Sequence, residues 1–123
     1  MSKKELFKRL NELCNEMDNS YYINSGGCCF VAACIAQNFE NVNIPYEVII
    51  YNEYRLHYAI RISDRYINRS DYKHNEISEV SDYNSEDLYD IYYKEEWNHC
   101  YNKKWNLIVS TRIRALFNKY LNK

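Results

Sequence analysis

The stretch Gly26-Gly27-Cys28-Cys29-Phe30-Val31-Ala32 decides how this chain is read. A glycine pair followed by an apolar run marks a sharp turn into a buried helix, and it sets a cysteine in that helix's first turn. The unpaired N–H groups and the dipole at a helix start favour a negative sulfur, and a nearby imidazole can take the thiol proton. The glycines also leave room for a substrate to approach the sulfur. One histidine has a strand-like frame, His57 in His57-Tyr58-Ala59-Ile60-Arg61-Ile62, whereas His74 and His99 lie in polar segments. Cys28 and His57 are therefore the candidate nucleophile and base, provided the fold brings them together.

Working outward from that turn, the preceding segment reads as a helix. Ser2 and Glu5 make a capping box, and Leu6, Leu10, Leu13 and Met17 recur at helical spacing until Asp18-Asn19-Ser20. The second helix should run from the glycines to about Asn41, buried nearly all round, with Asn41-Val42-Asn43 as its exit. Three strand signals follow: Tyr46–Tyr51 after Pro45, Arg55–Ile62, and a short run from Tyr66 to Tyr72 after the polar turn Ser63-Asp64-Arg65. Asn84-Ser85-Glu86-Asp87 can cap a helix bearing Leu88, Ile91, Tyr92 and Trp97. A last helix carries Trp105, Ile108, Val109, Ile113, Leu116, Phe117 and Tyr120. The expected class is α+β, with the cysteine-bearing central helix packed on a small antiparallel sheet and flanked by N- and C-terminal helices.

Composition bounds the rest. A chain of 123 residues with no internal repeat or linker reads as a single domain, 1–123. The formal net charge is −1, with acidic and basic residues interspersed, which argues against a nucleic-acid or membrane surface. The longest apolar run, Cys28 to Ala36, is too short to span a bilayer and too far along for a signal peptide, so a cytoplasmic protein is expected. Five cysteines, two of them vicinal, do not suggest a disulfide framework, and without a C-x-x-C pair no metal is expected. Cys14 and Cys34 read as small buried hydrophobes. Of the vicinal pair, Cys28 sits closer to the uncompensated helix N–H groups, and Cys29 points about 100° away, so Cys28 is preferred. Heavy use of Asn, Tyr, Lys and Ile with scarce Gly and Pro is what an AT-rich genome, such as that of a phage or mobile element, would produce.

From Gly26 to about Tyr72 the chain resembles the core of the transglutaminase-like branch of the papain-like thiol enzymes. The residues that carry the likeness are Gly26-Gly27-Cys28 followed by Val31-Ala32, then Asn43-Ile44-Pro45, His57 at a strand start, and Asp71. Asn43 stands where the family usually has Gly, Tyr58-Ala59 replaces a common Ala-Trp pair, and Tyr72 follows Asp71 where Pro is common. The resemblance implies a papain-like fold, a Cys-His-Asp/Asn triad, no cofactor, and a protein or peptide substrate whose amide bond is cleaved or exchanged through a thioester. Asp71 is the first choice for the third member. Asn68 is its competitor, because a hairpin centred near Asp64 brings both close to His57 and papain-type sites use an Asn. The Cys28 N–H and a side chain a few residues earlier, Tyr22 or Asn24, would form the oxyanion hole. Two other readings remain: a catalytically inactive interaction protein or inhibitor on the same fold, and an arylamine acetyltransferase-like enzyme acting on a small molecule. Fourteen tyrosines suit the former, since Tyr offers large contact area at low entropy cost.

Overall fold

The structure, a computed structural model, describes residues 1–52, 56–70, 78–94 and 103–122. Among them are four helices, α1 (Lys3–Tyr21), α2 (Cys28–Asn41), α3 (Ser85–Lys94) and α4 (Lys103–Leu121). Four strands accompany them, β1 (Glu47–Asn52), β2 (Leu56–Ile62), β3 (Arg65–Ile67) and β4 (Ser78–Ser81). The strands form one antiparallel sheet in the order β3-β2-β1-β4, so the class is α+β.

The first helix starts as its sequence dictates, with the Glu5 N–H donating to Ser2 Oγ at 3.1 Å. It runs through Asp18-Asn19-Ser20 rather than ending there, and closes on Tyr22 in the left-handed conformation (φ 54°). Asp18 does not break the helix because its carboxylate serves the next turn, accepting the Asn24 N–H at 2.9 Å. Asn43 (φ 58°) turns the chain out of α2, a conformation that Asn tolerates better than most residues.

Helix α2 buries ten of its fourteen residues, Cys28 to Ala36 and Phe39, and is covered by β2, α3 and α4. Small residues at Ala32, Ala33 and Ala36 let those elements approach closely. The sheet divides its side chains by alternation. Val48, Ile50, Tyr58, Ile60 and Ile67 join the helices in the main core, whereas Ile49, Tyr51 and Ala59 cluster with Tyr66 on the other side.

Two strand expectations are corrected. The third strand spans Arg65–Ile67 instead of Tyr66–Tyr72, because Asn68 (φ 61°) and Ser70 (φ 59°) leave extended geometry. A fourth strand, β4, pairs with β1 from Val48↔Ser81 to Tyr51↔Ser78. Its sequence Ser78-Glu79-Val80-Ser81 has one apolar residue, itself exposed, so no pattern announces it. The C-terminal region forms two helices as expected: Leu88, Tyr92, Val109, Ile113 and Phe117 are buried, and Trp105 is half-buried, while Trp97 lies outside the described residues.

Polar contacts fix these helices at both ends of α2. Trp105 donates its indole N–H to the Tyr21 carbonyl at 3.0 Å and lies against Gly27, where an added Cβ would meet the ring at 2.5 Å. At the other end, Glu40 takes the Ser85 N–H at 3.0 Å and the Ser85 hydroxyl at 2.6 Å, and accepts from the Tyr46 hydroxyl. A carboxylate of one helix thus serves the start of another, beside the reciprocal Asn84–Asp87 capping pair at 2.9 and 3.0 Å.

Gly27→Ala is expected to destabilise the fold by about 1–3 kcal/mol, because a rigid indole and the Ile23 carbonyl oxygen leave no space for a methyl group. Chemical denaturation measures it; an unchanged midpoint would mean that α4 does not press on this turn. Burial pushes the Glu40 carboxyl up, but its hydrogen bonds from Ser85 and Tyr46 outweigh that and leave it below the usual carboxylate range. The native state then holds fewer protons than the unfolded one in that window, so the contribution is full above about pH 4.3 and is lost as pH falls further. Glu40→Gln should flatten the acid side of the stability–pH curve there, as followed by urea melts across the acid range.

Candidate active site

Cys28 is the first residue of α2, after Gly27, which caps the helix without a side-chain hydrogen bond. The two vicinal thiols part company, as 100° of helix rotation requires. Cys28 Sγ lies 3.8 Å from the Leu56 carbonyl oxygen on β2, and Cys29 Sγ lies 3.2 Å from the Leu88 carbonyl oxygen on α3. Both are about 4% exposed. Cys14 and Cys34 are buried as well; burial pushes the Cys14 thiol up to about 12 and the Cys34 thiol to about 11, so neither is poised to ionise.

His57 follows Leu56 directly, so the Cys28 thiol rests against the peptide group that carries the histidine. The imidazole is 1% exposed, and its Nε2 is 2.6 Å from the main-chain carbonyl oxygen of Asn68. A carbonyl only accepts, so in the neutral ring Nε2 carries the hydrogen and Nδ1 the basic lone pair. Burial pushes the imidazole below its ordinary value; the Asn68 carbonyl and the Asp18 carboxylate oppose the shift but do not reverse it.

Alternation along β2 places His57 with Ala59 and opposite Tyr51, whose ring centroid is 6.1 Å away. That is the side of the sheet away from Tyr58 and Ile60, the residues that pack with α2. The thiol therefore comes to the start of β2 from the helix side, and the imidazole sits on the other side and at the edge where β3 ends.

Asn68 meets His57 through its main chain rather than its side chain. The side-chain amide pairs reciprocally with that of Asn24, at 3.1 Å in each direction. Asn24 is thereby committed to Asn68, and Tyr22 is the helix-terminating residue, 67% exposed. Asp71 lies outside the described residues, as do His74, His99 and Cys100. Sequence reasoning missed Asn11, whose amide bridges the edge of β3, accepting from the Asn68 N–H and donating to the Tyr66 carbonyl, both at 2.9 Å. A polar residue at the margin of the α1 apolar stripe was its only signal. Among the described residues no cluster of His, Cys, Asp or Glu could hold a metal, and no helix is long and apolar enough to cross a membrane. No family model, no curated protein and no solved structure matches the chain.

A histidine buried in the neutral form must take up a proton when the chain unfolds in mild acid. The unfolded state then binds more protons than the native one, so stability rises with pH and is lost as pH falls below about 6.5. His57→Gln should remove this dependence between about pH 7 and 5. Thermal melts across that window measure it, and an equal slope in the variant would mean that His57 is not held neutral.

Proposed function

We propose that the chain is a thiol acyl-transfer enzyme of the papain-like, transglutaminase-like kind, a cysteine hydrolase or acyltransferase that acts without a cofactor on an amide bond of a protein or peptide. The observation that carries this reading is the anchoring of His57 Nε2 on the Asn68 carbonyl, which puts the basic lone pair of the neutral ring on Nδ1, while the helix-start thiol lies against the peptide that carries the histidine. Chemically distinct groups far apart in sequence thus gather at one end of β2.

In this reading the Cys28 thiol proton passes to His57 Nδ1, and the sulfur attacks the amide carbonyl carbon. The Cys28 N–H, at the open end of α2, supports the developing oxyanion. The amine leaves with the proton from His57, and the thioester is released by water, or by a second amine, whose proton His57 receives. In the resting site the Asn68 carbonyl accepts from Nε2–H and holds the ring in the tautomer whose Nδ1 can take a proton. Asp71, and Asn68 through its main-chain carbonyl rather than its side chain, are the two proposed third members. For the transfer to occur, the imidazole must come around the start of β2 to the helix side, a rotation about its own side-chain bonds.

A second reading is favoured by one observation. His57 and Cys28 are 1% and 4% exposed and belong by alternation to different sides of the sheet, as suits two core residues of an inactive interaction protein. Iodoacetamide separates the two near neutral pH. In the enzyme, Cys28 is alkylated in the native state, the label is lost in Cys28→Ser, and His57→Ala slows labelling by about 10²-fold, the usual scale of a positioned base. Labelling of Cys28 only after denaturation, or at a rate that ignores His57, would leave the inactive reading in its place.

A further inference from the structure

We propose that Asn11 and Asn24 are positioning residues: acting through Asn68, they fix His57 in its Nε2–H tautomer. The inference takes its purpose from the thiol chemistry proposed above, but its geometry stands by itself.

Asn68 is in the left-handed region (φ 61°), just past the last ladder pair of β2 with β3, Ile60↔Ile67. Beyond that pair the sheet no longer holds the main chain, so the direction of the Asn68 carbonyl depends on other bonds. Two sets supply them. Asn11, reaching from α1, accepts the Asn68 N–H and donates to the Tyr66 carbonyl, so one side-chain amide imitates the neighbour that edge strand β3 lacks on that side. Asn24, from the loop between α1 and α2, closes a two-bond amide pair with the Asn68 side chain, and its own N–H is held by Asp18.

Covering a strand edge needs Asn11 alone. The Asn24 pair adds nothing to the sheet, yet it fixes the residue whose carbonyl meets the imidazole. Both clamps therefore converge on the acceptor that sets the tautomer. Among the described residues the groups around the ring include Tyr51 from β1, the Asn68 carbonyl after β3, the Asp18 charge from α1, and on the adjoining peptide Cys28 from α2. The same loop that presents Cys28 thus also carries the residue that orients His57.

Imidazole nitrogen chemical shifts and N–H exchange, read by NMR on the ¹⁵N-labelled full chain and assigned to His57 by loss of the signals in His57→Gln, test this. The native protein above about pH 7 should show a single neutral Nε2–H tautomer. Asn24→Ala and Asn11→Ala should each shift both ring nitrogens toward the averaged values of a tautomer mixture. Exchange of Nε2–H should become about tenfold faster, the weight of one lost hydrogen bond. Asn68→Gly, which accepts a positive φ without strain and keeps the carbonyl, should behave like Asn24→Ala and decides the matter if Asn11→Ala does not fold. An Nδ1–H tautomer in the native protein overturns the proposal, as do unchanged shifts and exchange in the folded variants. A pure Nε2–H tautomer in a chain whose Cys28 is unreactive would reject the acyl-transfer reading and leave this one standing.

Discussion

A helix that is apolar on nearly every side has to be covered on every side, and the rest of the fold follows from doing this for α2. Each large side chain it buries stabilises the fold by about 1.5–3 kcal/mol relative to exposure, but a single sheet can cover only one face. Strand β2 takes that face, α3 lies along another, and α4 closes a third. Phe30 shows how fully this is done, since its ring meets Tyr89 and Tyr92 of α3 and Trp105 of α4 at centroid distances of 5.0 to 5.8 Å. Phe39, two and a half turns on, meets Phe7 of α1 and Phe117 of α4 edge-on.

The same constraint gives the two vicinal cysteines different fates. On a helix surrounded by different elements, one step in sequence is a change of neighbour. Cys29 faces α3 and behaves as a packed, weakly bonding core residue; Cys28 faces the start of β2, where the main chain ends its pairing and a histidine begins. The glycine turn belongs to this arrangement as much as to any chemistry. Gly27 lacks a side chain because Trp105 occupies that space, and the indole bond to the Tyr21 carbonyl fixes the loop from the end of α1 to the start of α2. A demand for close packing and a demand for an accessible thiol would select the same residue at this position.

How much of this could be read in the sequence depends on the range of each interaction. The bounds of α2 and the existence of both C-terminal helices were legible because apolar periodicity is a local signal, sustained over each helix. The β1–β2 pair was legible in its β-branched and aromatic residues. Strand β4 was not, since Ser78-Glu79-Val80-Ser81 is held by its backbone against β1 and buries almost nothing. The early end of β3 was not legible either, because Asn68 enters positive φ under bonds from Asn11 and Asn24, more than forty positions away. Asn68 was named as a neighbour of His57, but in a side-chain role; that its carbonyl makes the contact depends on a backbone turn that a pattern of residue types does not encode.

Burial is what any chemistry at this site must work against. A neutral imidazole whose basicity is depressed by burial is a weak proton acceptor at rest, so a preformed thiolate–imidazolium pair is not the favoured resting state. Two features offset this once a proton moves. The Asn68 carbonyl, 2.6 Å from Nε2 at rest, would hold a cationic ring more strongly than a neutral one, and the N-terminus of α2 favours charge on the sulfur. The amide clamp and the helix are already in place and need not move; in the proposed mechanism only the imidazole does. Creating charge in a site that excludes water is costly without such fixed dipoles and much less so with them. In the proposed enzyme, fixed dipoles of this kind are what would let a site so little exposed react.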